Sequence, residues 1–149
     1  MEIVVDSSVV VALVMESDAW HFPAGALMKV IAAAGHRTLY FDCVAAEAVS
    51  VITRRLYEKR LAVQVPALLA RMEQLIPYGD ITWILPEVPR LYPDAPGLVR
   101  TSGGALNFND ALLALVCRER GIPAIASFDA DFDQVPWLRR LAQPADVAL

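Results

Sequence analysis

The chain has 149 residues, of which 56% are hydrophobic, and a formal net charge of −4. This length fits one domain over residues 1–149, and no apolar run approaches the roughly 20 residues that a bilayer-spanning helix needs. The acidic balance argues against broad electrostatic attraction to nucleic acid, and the start of the chain lacks the basic segment of a secretory signal, so a cytoplasmic protein with extra buried surface is expected.

Short apolar strands alternate with helices along the chain, a pattern typical of a parallel sheet covered by helices. The strands are predicted at 2–5, 38–41, 81–84 and 123–126, with a further edge strand at 146–149. Helices are predicted at 9–15, 18–34, 44–60, 66–76, about 107–120 and 135–141. Four prolines and three glycines between 86 and 104 predict a short or broken helix there. The sequence therefore predicts an α/β fold.

The two cysteines, Cys43 and Cys117, are too few for a disulfide framework and lie in apolar helical stretches. We expect both to be buried thiols in a reducing compartment. Basic residues cluster at 54–60 and at 139–140. A solvated helix face explains the first cluster most simply, and a local basic surface remains open.

Asp6 and Glu47 are acidic residues that an ordinary structural role does not fully explain. Asp6 closes the first strand, at the edge where ligands collect in an open parallel sheet; it could also cap the next helix, although Ser7 and Ser8 could do so instead. Glu47 borders an apolar helical stripe and has no basic neighbour one turn away. A carboxylate in that position requires a partner from elsewhere in the fold.

Asp110 and Asp129 complete the set. Asp110 opens a helix whose next seven residues are apolar, and favourable placement at a helix amino terminus is the alternative explanation. Asp129 follows the strand at 123–126, where a turn-forming role is equally common. Asp131 is a secondary candidate that could be a solvated turn residue. Oxygen ligands suit Mg²⁺ or Mn²⁺ rather than zinc, so convergence of these acids predicts a divalent metal site.

Four segments together resemble the PIN-domain nucleases, and most closely the VapC-like toxins of toxin–antitoxin pairs. The matching segments are 3–8 (IVVDSS), 45–47 (AAE), 109–111 (NDA) and 127–132 (SFDADF). The resemblance implies a three-layer α/β/α domain with a short parallel sheet, which cleaves RNA with Mg²⁺ or Mn²⁺. It assigns catalysis to Asp6, Glu47, Asp110 and Asp129, metal binding to the three aspartates, and support to Ser8, Ser127 and Asp131.

The resemblance also implies a homodimer and an antitoxin partner whose peptide covers the acidic groove. Two other functions stay open: a PIN-fold binding module that acts through its partner without cutting, and a housekeeping RNA-processing nuclease. A phosphatase using an aspartyl phosphate is disfavoured because position 8 is serine where such enzymes carry a second aspartate. No glycine-rich nucleotide-binding motif occurs.

Overall fold

A five-stranded parallel sheet forms the centre of the computed structural model, which describes residues 1–148. The strand order is β3-β2-β1-β4-β5. The strands are β1 (Glu2–Val5), β2 (Arg37–Phe41), β3 (Ile81–Thr82), β4 (Ala124–Ala126) and β5 (Arg139–Leu141). Because β1 pairs in parallel with both β2 and β4, the connections run outward from β1 in opposite directions. The carboxyl ends of β1 and β4 thus meet at a switch point of the topology.

Seven helices in the described residues flank this sheet in the predicted three-layer α/β/α arrangement. They are α1 (Ser7–Val14), α2 (His21–Ala33), α3 (Asp42–Glu58), α4 (Val65–Leu75), α5 (Val88–Leu91), α6 (Ala95–Thr101) and α7 (Phe108–Arg120). Helices α1 to α4 pack against one another, whereas α5 and α6 pack against α7. Within residues 1–148, none of the helices is long and apolar enough to cross a membrane.

The core follows from the apolar runs of the sequence. Three β1 residues are fully buried because a central parallel strand is covered on both faces. Residues 111–117 of α7 are buried all round, as a helix without a polar face should be. Cys43 and Cys117 are buried free thiols, as predicted, and burial raises the pKa of each to about 12.

The prolines between 86 and 104 do interrupt the helix, because α5 and α6 are short and separated. The prediction for the end of the chain was wrong. Residues 139–141 are strand β5 rather than the end of a helix, since Val135, Leu138 and Leu141 are all buried and their spacing imitates a helical stripe. The predicted strand at 146–149 is replaced by a 3₁₀ helix at Pro144–Ala148, and residue 149 lies outside the described residues.

Candidate functional site

Asp6 lies at the switch point, directly after β1, and is only 5% exposed. Its backbone N–H donates to the carbonyl of Ala126 in β4. One carboxylate oxygen, Oδ2, accepts hydrogen bonds from the Ser127 hydroxyl at 2.7 Å and from the Ser8 hydroxyl at 2.6 Å. The same oxygen caps α1 through the Ser8 N–H at 3.3 Å. Two neighbouring strands and a helix amino terminus therefore fix the Asp6 carboxylate.

Asp110 is fixed by a capping box at the start of α7. Asn107 accepts a hydrogen bond from the Asp110 N–H at 3.0 Å, and Oδ2 of Asp110 accepts from the Asn107 N–H at 2.8 Å. The Asn107 and Asp110 side chains thus satisfy two backbone donors reciprocally, which defines where the helix begins. This places a buried carboxylate, 9% exposed, at the amino end of an apolar helix.

Asp129 follows β4 and Ser127. Its Oδ1 accepts from the Asp131 N–H at 2.9 Å, capping a 3₁₀ helix at Ala130–Gln134, and its own N–H donates to the Ser127 hydroxyl at 3.0 Å. Asp131 contributes that backbone N–H rather than a carboxylate contact. Glu47 is half-buried in α3, and burial raises the pKa of its carboxyl while the nearby Ser7 side chain lowers it.

The three aspartates share one arrangement. Each uses one carboxylate oxygen to hold its own turn or helix end, and within residues 1–148 the other oxygen accepts no hydrogen bond from the protein. The capping roles considered from the sequence are real, but they occupy only half of each carboxylate. A structural role and a ligand role are therefore compatible at all three positions.

The four acids are close enough to influence one another electrostatically. Burial raises the pKa of the Asp110 carboxyl to about 7, the Asn107 N–H opposes the rise, and the charges of the other three acids add to it. Burial also raises the pKa of Glu47, with contributions from the charges of Asp6 and Asp129. Within the described chain none of the four forms an ion pair. Arg140 interacts with the charge of Asp129, but its ion pair is with Asp133.

These side chains fit a hard divalent cation, because their ligand atoms are all oxygens and no ion pair within residues 1–148 offsets their negative charge. As placed, however, no three acidic, histidine or cysteine side chains in residues 1–148 stand closely enough to enclose an ion. Binding would therefore need side-chain rotation or bridging water. The arrangement is an open acidic site rather than a closed metal shell.

Asp42 is a further buried acid of the fold. It is as buried as Asp6, at 5% exposed, but lies after β2 at the first residue of α3. Its oxygens accept hydrogen bonds from the backbone N–H groups of Cys43, Ile84 and Leu85. Asp42 therefore fastens the loop after β3 to α3, and both of its oxygens are occupied.

The fold and the site define an α/β protein with an acidic centre at the carboxyl edge of its sheet. The family model described as the PIN domain matches residues 3–138, so this chain belongs to the PIN-domain family. No curated protein matches it.

The fold is shared with solved structures that include VapC20 and VapBC2. VapC20 of Mycobacterium tuberculosis, described as a sarcin–ricin loop cleaving toxin, is 23% identical, with a TM-score of 0.66 over 91% of this chain and 95% of that chain. VapBC2 from Rickettsia felis, determined with a DNA fragment from its promoter, is 12% identical, with a TM-score of 0.65 over 95% of this chain and 98% of that chain.

Proposed function

We propose that this protein is a ribonuclease that depends on Mg²⁺ or Mn²⁺ and hydrolyses RNA phosphodiester bonds. The observation that carries the proposal is the set of three aspartates that each hold one oxygen in the fold and leave the other open, beside Glu47 and without an ion-pair partner in the described residues. Membership of the PIN-domain family supports it.

Asp6, Asp110 and Asp129 are the proposed metal ligands. When bound there, the ion would lower the pKa of a water molecule and offset negative charge that grows on the phosphate. Ser127 and Ser8 orient Asp6 by donating to the oxygen that faces the protein, which leaves the other oxygen for the ion. Such supporting hydrogen bonds fix the direction of a ligand before the metal arrives.

Glu47 is the proposed proton acceptor. It is not in the set of proposed ligands, and burial and the charges of Asp6 and Asp129 raise the pKa of its carboxyl. A raised pKa makes a carboxylate a stronger base, so Glu47 is better suited than an exposed glutamate to take the proton of an attacking water. In this proposal all four acids serve catalysis, and Asp131 supports the turn.

The decisive experiment measures cleavage of single-stranded RNA by the purified protein with Mg²⁺, with Mn²⁺ and with a chelator. Cleavage with either ion that disappears in chelator and in a Glu47→Gln variant supports the proposal. Intact RNA under every metal condition contradicts it and favours the binding-module function, in which the protein acts only through a partner.

We further propose that the protein is a single-domain cytoplasmic toxin of a toxin–antitoxin pair, that it forms a homodimer, and that an antitoxin covers its acidic site. The likeness in fold to VapC20 and VapBC2 supports the pairing. Uncompensated carboxylates suit an antitoxin arginine or lysine, since a buried cation can replace the charge of the metal. A neighbouring gene for a small DNA-binding protein supports the toxin function; its absence favours a housekeeping nuclease.

A further inference from the structure

Trp20 and Phe128 form a stacked aromatic pair in which Trp20 is exposed and Phe128 is partly buried against the core. Their rings are stacked with centroids 4.7 Å apart and an angle of 22° between the planes. Trp20 is 53% exposed, and large aromatic side chains are normally much more buried than this. The exposed apolar ring of Trp20 is suited to stacking against a flat ligand group.

The pair is joined to the acidic site through short contacts. Phe128 directly precedes Asp129, and its N–H donates to the Ser8 hydroxyl at 3.1 Å. That hydroxyl in turn donates to the Asp6 carboxylate at 2.6 Å. Phe128, with the Trp20 ring stacked on it, is therefore part of the same loop as Asp129 and is joined through Ser8 to Asp6.

The backbone of Trp20 is also held in place. Its N–H donates to Oδ1 of Asp18 at 2.8 Å, and Oδ2 of Asp18 accepts from Arg55 of α3 at 2.6 Å. The next residue, His21, bonds through its ring to the Ala12 carbonyl of α1 at 2.8 Å. Contacts from α1 and α3 therefore both anchor the backbone of the turn that carries Trp20.

Two cationic side chains lie near Trp20. Trp20, Met15, Arg55 and Lys59 line one surface pocket. Arg55 is paired with Asp18, whereas Lys59 is exposed and forms no ion pair within residues 1–148. The surface thus combines a ring stacked on the loop of Asp129 with a lysine that lines the same pocket as that ring, a combination that suits a phosphate chain carrying flat bases.

We propose that the Trp20–Phe128 pair is a stacking platform for one nucleobase of a single-stranded RNA next to the phosphate held at the acidic site, with Lys59 beside the following backbone. This inference rests on the proposed nuclease function and adds to it the requirement for an unpaired base. Base–aromatic stacking is tolerant of sequence, so the platform positions the strand without selecting one base.

The test compares RNA with a phosphodiester chain of the same length that lacks bases. Both are fluorescein-labelled, the RNA is single-stranded and of randomised sequence, and binding is followed by anisotropy in an Asp6→Asn background so that the RNA stays intact. Trp20→Ala should weaken RNA binding about tenfold, the order expected for one lost base–aromatic stack. Trp20→Phe should retain most of the affinity, and binding of the base-free chain should not change.

Trp83→Ala is the matched control. Trp83 is similarly exposed, at 52%, and also contacts a second aromatic ring, that of Tyr78 at 5.6 Å. It follows β3, however, and strand β2 separates β3 from β1, the strand that Asp6 follows. Its loss should leave RNA affinity unchanged. As a second readout, RNA should quench tryptophan fluorescence in the Asp6→Asn protein and quench it much less once Trp20→Phe is added.

The outcomes separate the two proposals. If the parent protein cuts RNA but Trp20→Ala leaves affinity unchanged, or weakens RNA and base-free chain equally, the platform is wrong and the nuclease stands. If Trp20 binds bases but no metal supports cleavage, the platform stands and the nuclease fails. Absence of all RNA binding overturns the platform, as does a Trp20→Ala effect confined to binding of a protein partner.

Discussion

The hydroxyl of Ser127 donates a 2.7 Å hydrogen bond to the Asp6 carboxylate across the boundary between β4 and β1. Ser127 is fully buried, and its oxygen also accepts from the N–H of Asp129. One side chain thus ties two of the proposed metal ligands together, although 121 positions separate Ser127 from Asp6 in the chain.

Ser127→Ala should therefore affect both folding and activity. Loss of a hydrogen bond to a charged group should lower the free energy of unfolding by about 1.5–3 kcal/mol. Loss of the orienting contact should lower metal-dependent cleavage about 10- to 100-fold, the usual effect of removing a group that supports a metal ligand. Urea unfolding and cleavage rates measure the two effects.

Ser102→Ala is the control for this variant. The Ser102 hydroxyl also makes hydrogen bonds, to Val99 and Leu106, but it lies at the end of α6, and none of its hydrogen bonds involves an acid of the site. It should destabilise the protein without changing cleavage by the folded fraction. Equal activity losses in the two variants would mean that Ser127 matters only for folding.

Asp42 provides a second contrast, because it is as buried as Asp6 but has no open oxygen. Asp42→Ala leaves the backbone N–H groups of Ile84 and Leu85 without their hydrogen-bond acceptor. The substitution should therefore lower the free energy of unfolding by roughly 2–4 kcal/mol. The increase in thermal midpoint on adding Mn²⁺ should be the same as in the parent. Loss of that increase in the milder Asp42→Asn variant would make Asp42 a ligand instead.

The difference between Asp6 and Asp42 shows which features of the site can be predicted from the sequence and which cannot. Asp6 was identified because a carboxylate at the end of a β-branched strand lies where parallel strands gather their ligands. Asp42 stands in the same relation to β2, yet apart from the N–H of Cys43 the donors that occupy it are backbone groups more than 40 positions later. Backbone donors leave no mark in a sequence, so only the structure separates the two roles.

Two further features could not be predicted from the sequence, for related reasons. The apolar spacing of Val135, Leu138 and Leu141 fits a helix, and a strand of only three residues is too short to reveal its own alternation. The stacked rings of Trp20 and Phe128 lie in separate connections of the fold, and nothing local to either residue predicts their contact. By contrast, the capping pair of Asn107 and Asp110 is local, which is why the start of α7 was predicted closely.

The raised pKa of Asp110 predicts how the metal-free protein responds to pH. With a folded pKa of about 7 against 3.8 in the unfolded chain, the folded state binds an extra proton between these values. Stability should therefore fall as pH rises from about 4 to 7 and stay low above that. Thermal midpoints in chelator should show this fall in the parent and a weaker one in Asp110→Asn. An unchanged slope in the variant would assign the proton to another group.

The last prediction separates catalysis from folding at Asp6. Asp6→Asn preserves size, and its amide oxygen can accept the same hydrogen bonds from Ser8 and Ser127, since asparagine and aspartate cap helices about equally well. The amide nitrogen then occupies the open side, where it cannot bind a cation. Cleavage with Mg²⁺ or Mn²⁺ should be lost, while the thermal midpoint in chelator should stay or rise because one negative charge of the site is gone.

The paired measurement makes the result interpretable. In the parent, Mn²⁺ should raise the thermal midpoint, since an ion that binds only the folded state stabilises it. In Asp6→Asn that rise should shrink together with activity. A variant that is as stable as the parent and cuts RNA equally fast shows that Asp6 only caps α1. A variant that loses cleavage but keeps the full rise with Mn²⁺ shows that the other carboxylates hold the ion without Asp6.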